Sequence, residues 1–338
     1  MLGMALGHAA QVQRLSIDDL RAAAPEWNRY VAETPGIDVW CSSTDWVLPL
    51  FDTWGQAPAV ILRDPALGWA AFGWADLTEG THSHRHGRAL VGLDPVWGFA
   101  ATMVGPQPSA LAEAVAGALD DIVDWDAVFL TGLVPGTPMD QAVVEAFGRR
   151  HRLFAGPESP RCVADLSSGV EAWWARRSER FRRNLRRARE LAFTSGVTMH
   201  VMDHEDPDVV MDRIATIEDT SWKGMEGSGL SEERMASAYR AIAHRLSADG
   251  RMRACIATHN DIDVGFILGG VREATYRGLQ ISYAATARHL SIGHLLQDHE
   301  VARVATDGIT RYDLGMDLEY KQRWADTTEL TRTLVAVR

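Results

Sequence analysis

The sequence predicts an α+β protein of two domains, residues 1–158 and 159–338, each a mixed, mostly antiparallel sheet flanked by helices. Three observations lead there. The 338 residues, 46% hydrophobic, are enough for two cores of ordinary size. Both halves run through the same order of helix, antiparallel strands, helix, strand and helix, without a short repeat. The stretch Gly156-Pro157-Glu158-Ser159-Pro160 reads as a linker between them.

In the first half, Ser16 to Ala24 is a helix whose Ser-Ile-Asp-Asp start offers an N-cap and first-turn acids. Trp40 to Trp54 continues with a helical apolar pattern. Ala59–Arg63 and Gly68–Asp76 form a hairpin around Asp64-Pro65, and Leu90–Leu93 and Gly98–Val104 add strands. A helix over Pro108–Val123, a strand over Trp125–Leu130 and a helix over Gln141–Arg150 complete this half.

The second half opens with a strand, Cys162–Leu166. Ser168-x-x-Glu171 then fits the capping box of one helix reaching Phe193, with Trp174, Phe181, Leu185, Ala188 and Ala192 on its apolar stripe. Next come a strand (Val197–Met202), a helix (Pro207–Thr220), a glycine-rich loop (Gly224–Gly229) and a helix (Ser231–Ala248). Three strands, Met252–Thr258, Val264–Val271 and Thr275–Ala287, lead into Gln280–Trp324, which reads as strand, turn, helix, strand and a tyrosine-lysine loop.

Composition excludes several classes. No run of 18 apolar residues exists, and Met1–Ala10 is too short and mixed for a signal-peptide core, so a cytoplasmic protein with no membrane partner is expected. Cys41, Cys162 and Cys255 are far apart and without ligand spacing, which suggests core residues. His82, His84 and His86 alternate as strand neighbours would, but they sit in a loop of Thr, Ser, Arg and Gly with no cysteine near, so no metal is expected. A net charge of −11 argues against a surface built for nucleic acid. The eight arginines between Arg176 and Arg189 read as the solvated side of an amphipathic helix, although phosphate binding is the alternative.

Two places can carry chemistry. At Arg288-His289-Leu290-Ser291-Ile292-Gly293-His294 a strand gives way to a helix, whose free amides and partial positive charge suit an anion such as a pyrophosphate. Only two of 34 basic residues are lysines, and both sit beside aromatics: Trp222-Lys223 and Tyr320-Lys321. Acyl transfer to an amine needs a proton acceptor, a donor for the leaving group and a positive group near the oxyanion. Tyr320 is the candidate acid, Lys321 the candidate oxyanion or phosphate partner, and Asp313 the candidate base or substrate-amine anchor. Glu218, Trp222 and Lys223, at the entrance to a glycine-rich loop, are candidates for an acceptor lid.

Several segments resemble the CelD-type, BioF2-like branch of the GNAT acyltransferases, which is built of two fused GNAT folds and related to the Fem aminoacyl transferases. Trp125 to Pro135 is similar to that branch's W-D-x-L-x-L-x-x-L-P segment. Arg182 to Arg189 with Gly196-Val197 resembles its arginine-rich helix and strand, and Asp313-Leu314-Gly315 with Tyr320-Lys321 its D-x-G…YK ending. Tyr320 to Trp324 also approximates the F-K-x-x-F of the Fem relatives. Arg288 to Gly293 matches the GNAT pyrophosphate loop, Q/R-x-x-G-x-G/A, except that Ser291 stands at the first glycine, where its hydroxyl can cap the helix but its Cβ hinders close approach.

The resemblance implies an N-acyltransferase that moves an acyl group, first of all acetyl, from acyl-CoA to an amine of a small molecule, amino sugar or peptide. Arg288, Ser291, Ile292, Gly293 and His294 would hold the donor, and Glu218, Trp222, Lys223 and Tyr283 would bind substrate. Two alternatives stay open. One is a Fem-like transferase with an aminoacyl-tRNA donor, the only reading in which tRNA is a partner; the other is an inactive binding or scaffold protein on the same fold.

Overall fold

The computed structural model describes residues 12–77, 87–227 and 229–338. They form two compact units, residues 1–159 with 330–338, and residues 160–329. The histidine run at 82–86 lies outside the described residues.

In unit 1, β1 (Gln13–Leu15) leads to α1 (Ile17–Ala22), α2 (Ala24–Glu33) and α3 (Thr44–Trp54). Ser16 starts α1 with a full capping box, its hydroxyl accepting from the Asp19 amide while the Asp19 carboxylate accepts from the Ser16 amide. β2 (Gln56–Asp64), β3 (Gly68–Leu77) and β4 (Gly87–Gly92) form an antiparallel meander, with a short β5 (Met103–Val104) beside β3. The β2–β3 turn is fixed by Asp64, whose carboxylate accepts from the amides of Ala66 and Leu67. α4 (Pro108–Asp120) then crosses to β6 (Ala127–Leu133), which is parallel to β4, and α5 (Pro138–Gly148) follows. Val60, Phe72, Leu111, Val115, Trp125 and Phe147 belong to the core of this unit.

β7 (Arg152–Asp165) carries the chain into unit 2, where α6 (Gly169–Ala175) and α7 (Glu179–Thr194) come first. β8 (Val197–Val201), α8 (Pro207–Asp219), α9 (Trp222–Met225) and α10 (Glu233–Ala248) precede a second meander, β9 (Met252–His259), β10 (Ile262–Arg272) and β11 (Thr275–Tyr283). α11 (Ile292–Thr306) crosses to β12 (Arg311–Met316), parallel to β11, and α12 (Glu319–Gln322) and β13 (Thr327–Val337) close the chain. Trp173, Leu185, Tyr276, Leu296, Tyr312 and Trp324 belong to this second core.

The two units therefore repeat one plan, a strand, helices, a three-stranded meander, a helix and a strand parallel to the meander's last. Each unit thus carries a mixed, mostly antiparallel set of strands flanked by helices, as the sequence predicts, and the strands are all part of one 13-stranded sheet. α6 and α7 stand outside the repeat.

Four expectations are corrected. Leu330–Arg338 belongs to unit 1, because β13 pairs antiparallel with β6 from Arg332↔Leu133 to Val337↔Ala127, so a single cut after residue 158 does not describe the units. The expected linker at 156–160 is continuous strand within β7. The arginine helix is broken: Ser168 makes no side-chain cap, whereas the Ser178 hydroxyl accepts from the Phe181 amide and starts a new helix. The strand expected to reach Ala287 ends at Tyr283 and passes through a 3₁₀ turn, Ala285–Leu290. Cys41, Cys162 and Cys255 are all buried, and none of the three is in a disulfide. Among the described residues no helix is long and apolar enough to cross a membrane.

Candidate active site

The site is built where two neighbouring strands part. β11 and β12 pair only over Thr275↔Arg311, Tyr276↔Tyr312 and Arg277↔Asp313, although β11 runs on to Tyr283 and β12 to Met316. Beyond the last pair, the carbonyl of Ile281 accepts from Lys223 Nζ at 3.0 Å, and Gln280 Oε1 lies 3.3 Å from the same ammonium. Burial pushes the pKa of Lys223 down, partly opposed by Glu218.

Beside β11 lies a cavity of about 450 Å³. Trp222, Lys223, Tyr283, Arg288, Ser291, Gly293, His294 and Tyr320 line it, so eight of the residues singled out from the sequence meet at one place. Ser282, Gln297 and Trp324 line it as well. The Ser282 hydroxyl is buried and, among the described residues, has no hydrogen-bond partner, so a polar ligand group could bond to it.

The anion seat is the N-terminus of the 15-residue α11. The amides of His294 and Leu295 both donate to the Ser291 carbonyl, which leaves the amides of Ile292 and Gly293 as the helix's first free donors. Ser291 itself is left-handed, with φ of 57°, and makes no side-chain cap. The expected hydroxyl cap is thus absent; the residue instead holds the backbone angle that glycine adopts at least cost. Gly293 keeps the first turn close to β11, since a Cβ there would come within 3.2 Å of the Tyr283 ring. The Ile292 side chain is fully buried in the core, so only its backbone is available. His294 stacks on Trp324 with ring centroids 6.0 Å apart; burial, then Arg323, lowers its pKa and keeps the ring neutral near pH 7.

The corresponding turn of unit 1 has no such equipment. α4 begins at Pro108, which has no amide hydrogen, and Met103 to Gln107 contains no basic residue.

The lid candidates are held by one hydrogen-bonded chain. Glu218 is fully buried and accepts from Ser221 Oγ at 3.0 Å and from the Leu230 amide at 3.3 Å, while Ser221 Oγ caps α9 at the Gly224 amide. Glu218 therefore supports the lid and does not line the cavity. Gly224 passes so near α8 that a Cβ would meet the Glu218 carbonyl at 2.1 Å. A bridge between Ser221 and Ala284, with the Ala285 amide bonded to the Thr220 carbonyl, pins the segment to the end of β11. Trp222, 53% exposed, stands at the cavity edge.

Tyr320 and Lys321 lie on α12. Tyr320 is 43% exposed, yet burial around its hydroxyl pushes its pKa up to about 12, so the phenol is protonated at neutral pH. Lys321 Nζ sits 3.4 Å from where a Cβ of Gly315 would be, in the gap between the parting strands. Burial, then Arg277, lowers its pKa to about 8.

Asp313 is a correction. It is 1% exposed and accepts from Arg161 Nη1 at 2.9 Å, with Arg277 Nη1 at 2.7 Å. Burial alone would raise its pKa, but Arg277 and Arg161 outweigh that and hold the carboxyl well below the usual range. A carboxylate so paired takes up no proton at neutral pH and cannot serve as the base; it anchors the vertex at which β11 and β12 part. Among the described residues no group of three His, Cys, Asp or Glu side chains could hold a metal ion.

Comparison with known proteins gives the same outline. Residues 179–322 match the family model of the acetyltransferase (GNAT) domain. FemX superposes with a TM-score of 0.66 at 12% identity, covering 97% of each chain. A conserved Bacteroides thetaiotaomicron protein of unknown function gives 0.64 at 10% identity, over 97% of this chain and 100% of that one. L-PGS from Bacillus licheniformis gives 0.52 at 13% identity, over 88% and 92%. No curated protein matches the sequence.

Proposed function

We propose that this chain, two fused GNAT-like units related in fold to FemX, is an N-acyltransferase that uses the cavity of unit 2 to bring an acyl-CoA thioester to the amine of a small molecule, amino sugar or peptide. The observation that carries the reading is the parting of β11 from β12 beside an arginine-flanked helix N-terminus. It offers an anion seat and an open strand edge within one cavity.

The residues fit such a donor. The amides of Ile292 and Gly293 with Arg288 would hold phosphate oxygens, and the free edge of β11 and the Ser282 hydroxyl would take polar groups of the thioester arm. The acceptor amine would enter past Trp222 and attack the acyl carbon as a neutral amine. Lys321, largely protonated near pH 7, would stabilise the oxyanion. As the C–S bond breaks, Tyr320 would protonate the departing thiolate, and the proton of the attacking amine would leave to water. Neither step needs Asp313 as a base.

A second reading keeps the fold and replaces acyl-CoA with aminoacyl-tRNA. Ser291 favours it, because its side chain stands where the pyrophosphate loop has glycine. Thermal stabilisation and titration with acetyl-CoA, longer acyl-CoAs and charged tRNA separate the two. Binding of an acyl-CoA, followed by thiol release with an amine panel, supports the first. Salt-sensitive tRNA binding without CoA binding supports the second, and binding of neither sinks both.

A further inference from the structure

Unit 2 has a second cavity, of about 630 Å³, at the start of α7. Arg176, Arg177, Arg180 and Arg323 line it, against the single carboxylate of Asp326. Arg176 and Arg177 both bond to Asp326, so one negative charge is shared between two guanidiniums. Arg180 and Arg323 are exposed, and among the described residues neither has an ion-pair partner. Arg177 is 8% exposed, and its Nε is buried with no hydrogen bond among the described residues. The Ser178 cap bonds only the Phe181 amide, so the other first amides of a 16-residue helix remain free beside these arginines.

Four guanidiniums lining a cavity with one carboxylate repel each other, and a doubly charged anion would offset most of the excess positive charge. Asn184 and Gln322 add neutral donors to the same wall. The cavity lies between the α6–α7 junction with the first turns of α7 and the segment from Gln322 to Asp326, and is lined by none of the residues of the α11 seat.

We propose that this cavity is a second anion site, which takes the phosphoryl group of a small phosphorylated ligand through Arg176, Arg177, Arg180 and Arg323. The inference does not depend on the acyltransferase reading. The phosphate comes either from a free phosphorylated metabolite or from the 3′-phosphate of a nucleotide, and the test has an arm for each.

Inorganic pyrophosphate, adenosine 3′,5′-bisphosphate, coenzyme A and dephospho-coenzyme A are titrated into the full chain by calorimetry at constant ionic strength. The titrations are repeated with Arg180→Ala/Arg323→Ala and with Arg288→Ala. Both arginines of the double variant are exposed, so the fold is retained. The expected result is pyrophosphate binding that weakens about 10-fold or more in the double variant, each lost charge-assisted bond costing roughly that factor, and that persists in Arg288→Ala. A preference for coenzyme A over dephospho-coenzyme A that vanishes in the double variant assigns the 3′-phosphate; loss of pyrophosphate binding alone assigns a free phosphate. Three results would overturn the proposal: affinities unchanged in the double variant, loss only in Arg288→Ala, or an RNA oligonucleotide binding where none of the small phosphates does.

Discussion

Arg161 and Asp313, on β7 and β12, are 2% and 1% exposed and bonded at 2.9 Å, with Arg277 of β11 completing the group at 2.7 Å. Three strands of unit 2 are thus tied at the point where β11 and β12 begin to part. Asp313→Asn would leave two buried guanidiniums without their counter-charge, so a loss of about 3–5 kcal/mol is expected in urea unfolding. A catalytic base would give the opposite pattern, lost turnover with unchanged stability, and that outcome would restore Asp313 to the chemistry.

The order of elements and the loop at 288–293 are legible in the sequence because they rest on local signals: strand alternation, turn residues and an arginine before a helix start. What is not legible depends on partners far along the chain. Nothing in Leu330–Arg338 says that this strand belongs beside Ala127–Leu133. An acid in a D-x-G segment looks like a base until Arg161, 152 residues earlier, is found against it. Ser168 carries the capping-box signal with Glu171, yet the structure caps a helix at Ser178, which has Phe181 three residues on. Ser282 and Gln297 have no motif, and they join the site through the cavity they share with Tyr283 and His294.

Ser291 adopts a left-handed angle that costs a non-glycine residue about 1–2 kcal/mol. Ser291→Gly removes that cost but gives back about 0.4–1 kcal/mol through a more flexible unfolded chain. A net gain of roughly 0.5–1 kcal/mol in thermal or urea unfolding follows, together with tighter acyl-CoA binding as the Cβ leaves the seat. Ser291→Val should weaken binding and lower stability. Unchanged acyl-CoA affinity in both variants would mean that the donor does not touch this turn.

Trp222 is half exposed at the cavity edge, whereas Glu218 is buried behind it. Trp222→Ala is expected to change stability by no more than about 0.5 kcal/mol while raising KM for the amine and leaving KM for the donor unchanged. Glu218→Ala removes the acceptor for Ser221 Oγ and the Leu230 amide, so a loss of about 1–3 kcal/mol is expected first, with the kinetic effect following from a displaced α9. Equal stability losses for the two variants would contradict this division.

Lys321 yields the pH prediction. Its pKa of about 8 lies below the ordinary lysine value, so between that pH and about 10.5 the folded chain binds fewer protons than the unfolded one, and stability from this group rises with pH across that window. Its role in the reaction runs the other way. The ammonium that would meet the oxyanion is present below pH 8 and lost above it, so kcat should fall on an alkaline limb centred near 8. Lys321→Arg keeps the charge and should move that limb out of range while retaining part of the rate. Lys321→Met should cost about 10²–10³-fold in kcat without loss of stability at pH 7, since it removes a charge that burial disfavours. A limb near 8 that persists in Lys321→Arg would belong to another group, and full turnover in Lys321→Met would take the lysine out of the reaction.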